Sequence, residues 1–173
     1  MSPLRVRLKR APDGSAVLTA IRADGSSTLQ RQLGPRGQFF PTHDLTHYAV
    51  ETVLGYREGF FGLIAEGWEI SDFAPPFPRG SIPSKAREVE IVVSLIDTGR
   101  PDAAGWTAGE FREQGELYVA SRRATGKDPG DMAAVSDEDL DRIYALRGEL
   151  LERWAATKAG ETLDLVFGGP ARS

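Results

Sequence analysis

The stretch LRVRLKRAPDGSAVLTAI, residues 4–21, alternates apolar with polar side chains on either side of a Pro12-Asp13-Gly14-Ser15 break. Leu4, Val6 and Leu8 face one way and Arg5, Arg7 and Lys9 the other, the period-two pattern of a strand with one buried face. Val17, Thr19 and Ile21 resume the alternation and predict a hairpin. Asp24-Gly25 supplies a second tight turn before a weaker run at 27–33, so a three-stranded antiparallel meander is expected over residues 1–37. Far along the chain, Leu163, Leu165 and Phe167 alternate once more over residues 162–167. A lone terminal strand is unstable, so this one is expected to pair with the meander, beside the run containing Leu4, Val6 and Leu8.

Between these strands the period is helical. A helix is expected from His43, with Thr42 as its N-cap after Pro41, Asp44 in its first turn and Gly55 as its stop. A second helical stretch covers 58–68. Residues 71–84, SDFAPPFPRGSIPS, hold four prolines and read as a loop. Residues 85–97 fit a strand through Val89, Ile91, Val93 and Leu95, and a helix through Ala86, Val89, Val92 and Ile96; their length, with Gly99 just beyond, favours the helix. Thr107 with Glu110 forms a capping box flanked by the Trp106 and Phe111 staple, and Ser136 is flanked likewise by Val135 and Leu140. The last helix is expected over 137–158, ended by Gly160. The fold class that follows is α+β in a single domain, 1–173: a small antiparallel sheet, made of the N-terminal meander and the C-terminal strand, packed on a layer of about five helices.

Composition narrows the function. The 173 residues include 25 acidic and 21 basic side chains, a net charge of −4, without the basic excess that a nucleic-acid partner requires. The absence of cysteine removes disulfides, thiolate zinc sites, iron–sulfur clusters and thiol nucleophiles, so any metal must sit on His, Asp or Glu. The start of the chain lacks the apolar stretch of a signal peptide and no 18-residue apolar run follows, so a cytoplasmic protein without membrane contact is expected.

Both histidines of the chain fall in one string, HDLTHYAVE, at His43 and His47. Four residues is one helical turn, and Glu51 and Asp44 lie within about 100° of them on the helix, in a polar stripe bordering the apolar face. Two imidazoles at i and i+4 can ligate one ion, with nearby carboxylates adding charge and orienting the rings. Glu51 is the first expectation for a third ligand. Glu66 is the second, since Gly59 and Gly62 on its face would let the first helix approach closely. Asp44 is expected behind the ligands, or as a weak base. Zinc is the first expectation for the ion, with iron(II) or manganese also suited. The same stripe has a structural explanation: Glu51 hydrogen-bonds His47, Asp44 answers the helix dipole and Glu66 is a solvated acid.

Three metal motifs bear on these residues. His43-Asp44-Leu45-Thr46-His47 with Glu66 eighteen residues on resembles the HExxH zinc peptidases, except that Asp44 stands where the general-base Glu belongs and is one methylene shorter. His43, Asp44 and His47 also resemble the HDxxH-x11-E metal motif of the coenzyme Q biosynthesis family, although Gly59 occupies the final position and Glu58 lies one place early. The HD phosphohydrolases need a further histidine that this chain lacks. The strings HDLTHYAVE and GFFGL together resemble small bacterial proteins of unassigned activity over residues 41–68, a resemblance that implies no mechanism.

Arg122, Arg123 and Lys127 read as the basic end of a helix, and Trp68, Phe73 and Phe77 as core or as a ligand surface. The expected function is therefore metal binding by a His/His/carboxylate site, as in a metal-dependent hydrolase, acting on an unidentified small molecule or protein. The alternative is a non-enzymatic interaction domain whose histidine-acid face is structural.

Overall fold

The structure, a computed structural model, describes residues 2–34, 36–99 and 105–168. The order of elements is β1 (Leu4–Arg10), β2 (Ala16–Ile21), β3 (Ser27–Gln32), α1 (Phe39–Leu54), α2 (Phe60–Ala65), a 3-10 turn (Ile70–Phe73), α3 (Ser84–Thr98), α4 (Ala108–Ala124), α5 (Asp137–Ala156) and β4 (Thr162–Phe167). This is an α+β fold. The four strands form one antiparallel sheet in the order β3-β2-β1-β4. The C-terminal strand lies beside β1, in the register Leu4↔Phe167, Val6↔Leu165, Leu8↔Leu163, so the apolar sides of both strands share one face. On the opposite face Asp164 bridges Arg5 and Arg7 at 3.1 and 2.9 Å.

Two details depart from expectation. The core face of β2 carries Ala16, Leu18 and Ala20, not Val17, Thr19 and Ile21, because the β1 pairing sets Leu8 opposite Leu18 and Val6 opposite Ala20. Residues paired directly across an antiparallel ladder share a face, so register overrides side-chain size here. Helix α1 begins at Phe39, one turn before the expected start, with no side-chain cap at Gln38. Pro41 therefore sits in the first turn, where its missing N–H is not needed, and the Thr42 hydroxyl donates to Phe39 O instead of capping.

Helix α1 lies between α3 and α5 over the sheet, and α4 packs on α3. Leu45, Ala49 and Val50 turn into the core beside Phe61, and Phe61 meets Phe167 and Tyr48 edge to face or tilted. The segment 85–97 is helical, and the capping boxes of Thr107 and Ser136 both form. None of the described helices is long and apolar enough to cross a membrane.

Candidate metal centre

The polar stripe of α1 does not stay half exposed. Asp44, Thr46, His47 and Glu51 are all buried, Thr46 and His47 against α3 and α5, Asp44 against Gln32 of β3 and Glu51 against the start of α2. Burial of ionisable groups is costly unless each finds a partner, and each of these does.

His43 presents Nδ1 to Asp97 Oδ2 at 2.7 Å. The other Asp97 oxygen accepts from the Thr46 hydroxyl at 2.6 Å and from Arg147 of α5 at 3.3 Å, and Arg147 also donates to Thr46. Burial opposes the Asp97 charge, but the hydrogen bonds from His43 and Thr46 and the positive charges of His43 and Arg147 hold its pKa below the usual range. His47 presents Nδ1 to Glu51 Oε1 at 3.2 Å. The Glu51 carboxylate also accepts from the backbone amides of Phe61 and Gly62, at 3.0 and 3.1 Å, in the first turn of α2. Gly59 makes this seat possible, since a Cβ there would overlap the Glu51 carboxylate. Each imidazole thus has its Nδ1 fixed by its own carboxylate, which leaves Nε2 as the remaining nitrogen.

The Nε2 of His47 meets Glu90 of α3. One ligand atom each from His43, His47 and Glu90 lies within 4.8 Å of the other two, and His47 Nε2 is 3.1 Å from Glu90 Oε2. In a tetrahedral site with bonds of about 2.0–2.1 Å, ligand atoms stand roughly 3.3 Å apart. The His47–Glu90 pair already has that spacing, and the widest pair needs to close. Glu90 has the freer side chain of the His47–Glu90 pair, 49% exposed against 7% for His47. The rings of His43 and His47 stand edge to face, 4.8 Å between centroids. The cluster could hold a metal ion.

His47 lies between two carboxylates. Burial pulls its pKa down, but the hydrogen bonds and charges of Glu51 and Glu90 outweigh this and raise it to about 10. Glu90 is held below its ordinary value by His47 and His43 against the effect of its own burial.

No family model, curated protein or solved structure matches the chain. The site is therefore read from its geometry.

Of the residues singled out in the sequence, His43 and His47 come together. Glu51 stands behind His47 with both oxygens engaged, and is outside the group that could hold an ion. Glu66 is exposed at the C-terminal end of α2, also outside that group. Asp44 is buried and hydrogen-bonded by the Gln32 amide from β3; burial raises it to about 6, against the pull of Gln32 and of both histidines. Glu90 and Asp97 were not anticipated. Their sequence signal is two acids seven residues apart, hence on one helix face, in a segment whose Val89, Ile91, Val92, Val93 and Ile96 are all buried.

His43, His47, Asp44 and Glu90 line a cavity of about 490 Å³. Phe60, Phe73, Ile82 and Ile91 supply its apolar wall, and Tyr118, Arg122 and Lys127 reach it from α4 and the segment that follows.

Proposed function

We propose that the protein binds one divalent metal ion through His43, His47 and Glu90, and that it acts as a metal-dependent enzyme, in the first instance a hydrolase, on a small molecule held in the adjoining cavity. The observation that carries this reading is the pair of carboxylate–imidazole couples, Asp97–His43 and Glu51–His47, converging on a third, half-exposed carboxylate. Orienting acids at Nδ1 fix the tautomer and raise the basicity of the ligating nitrogen, which a merely buried histidine does not need twice in one turn. Three protein ligands leave positions for substrate or water, and the cavity lies on that side. An ion there supplies a Lewis acid next to a buried carboxyl group, Asp44. Two imidazoles and one carboxylate suit zinc, with iron(II) and manganese accommodated by the same donors.

The test is titration of tag-free, metal-stripped protein with Zn²⁺, Fe²⁺ and Mn²⁺. One ion per chain is expected. His43→Ala, His47→Ala and Glu90→Gln each abolish stoichiometric uptake, Asp97→Asn weakens it roughly 10–100-fold, and Glu66→Gln leaves it unchanged.

A second reading rests on the fact that both nitrogens of His47 already have carboxylate partners. A permanent buried imidazolium tying α1 to α3 would belong to a non-enzymatic interaction domain. In that case no metal is taken up, and Glu90→Gln changes stability without changing any metal affinity.

A further inference from the structure

The cavity is polarised along α3. Glu90 at mid-helix and Asp97 near the C-terminus meet the two histidines, whereas Arg87, one turn before Glu90, binds Asp128 at 2.8 Å. The segment after α4 therefore closes the end of the cavity nearer the start of α3, about one helical turn along the axis from Glu90. Three cations line that end, Arg87, Arg122 and Lys127. Arg87 is neutralised by Asp128 and also donates to Ile82 O. Arg122 and Lys127 have no carboxylate partner among the described residues; Arg122 is half-buried, its guanidinium 5.8 Å from the Tyr118 ring. Their neighbour Arg123 differs. It is paired with Asp131 at 2.7 Å and with Gly130 O, and does not line the cavity. Complementing the α4 dipole accounts for a basic last turn, but not for Arg122 and the exposed Lys127 beyond the helix end both lining this cavity with no carboxylate partner among the described residues.

We infer that the cavity takes a small apolar molecule bearing one acidic group, a carboxylate or a phosphate monoester, whose charge is held by Arg122 and Lys127 while its body lies against Phe60, Phe73, Ile82 and Ile91. This names the substrate class of the metal site and rests on that reading for the word substrate. Arginine suits the role because its planar fork pairs with two oxygens of either anion, and lysine adds a point charge. The cavity volume lies in the range of small-molecule sites.

The test is calorimetric titration of the full chain, in EDTA so that no metal contributes, with octanoate, octyl phosphate and octan-1-ol. At least one of the two anions binds, and the alcohol binds at least about tenfold more weakly. Arg122→Ala and Lys127→Ala each weaken anion binding about tenfold and Arg123→Ala does not, with thermal melts of all three matching the parent. Comparing octanoate with octyl phosphate identifies the acidic group. Equal affinity for the alcohol, no binding of any probe, or anion binding indifferent to both Arg122 and Lys127 overturns the inference. Metal uptake with no anion preference defeats this inference alone, while anion preference with no metal uptake defeats only the metal reading.

Discussion

The core face of the sheet is buried and the seam between α1 and α3 partly so, and they are built on opposite principles. Under β1 and β4 the contacts are Leu4, Val6, Leu8, Leu163, Leu165 and Phe167, side chains that gain by leaving water and make no directional demand. In the seam the contacts are His43, His47, Glu51, Glu90, Asp97 and Arg147, each tolerable only because another is in place. Apolar residues of similar volume would serve stability as well or better at such positions. The proposed metal site lies in this seam.

The largest expected effect belongs to the sheet. Leu8→Ala removes a fully buried side chain from the middle of β1 and should cost about 3 kcal/mol in denaturant unfolding, by the same amount with and without zinc. A loss that shrinks when zinc is added would mean that sheet and seam are not separable. Glu51→Gln comes next, at about 2 kcal/mol, because the amide cannot satisfy both the α2 amides and His47 Nδ1. Its effect, unlike that of Leu8→Ala, should extend to zinc affinity, since the ring it orients is a proposed ligand.

Protons sharpen the contrast further. The folded His47 pKa is raised from 6.5 to about 10, so the folded state binds this proton more tightly than the unfolded chain does. That contribution is present in full below about pH 6.5 and is lost as pH rises through about 10. The urea midpoint of metal-free protein should accordingly fall between pH 7 and 10, a window above the raised Asp44 value of about 6, and His47→Gln should flatten the fall. A profile identical in the variant would remove His47 as its source. The smallest effect lies in neither region: Thr107→Ala and Ser136→Ala should each cost about 1 kcal/mol by freeing first-turn amides of α4 and α5, without touching metal affinity.

The same contrast explains what was legible in the sequence. Alternation is local, so the sequence alone matches Leu4, Val6 and Leu8 to Leu163, Leu165 and Phe167. The face of β2 was not legible, because the bulkier Val17 and Ile21 mimic a core face until the Leu8–Leu18 register is known. His43 and His47 were legible because one helical turn is a local spacing. Glu90 and Asp97 were not, because the residues that complete the seam come from another element, and the strand-or-helix ambiguity of 85–97 concealed that they share a face. Glu51 is the carboxylate that the spacing along one helix offers, whereas Glu90 joins the two histidines only through the packing of α3 on α1. Arg122 and Lys127 read as a helix end for the same reason: only the packing of α4 on α3 brings them to the cavity.

Anomalous diffraction from crystals of tag-free protein soaked with zinc, recorded on both sides of the zinc edge, tests the metal centre most directly. The account predicts a single strong peak about 2.0–2.2 Å from one nitrogen each of His43 and His47 and from a Glu90 oxygen, with Asp97 and Glu51 still on the Nδ1 atoms. A peak at Glu51 or Glu66 instead, or no peak while His47 stays clamped between Glu51 and Glu90, would contradict it.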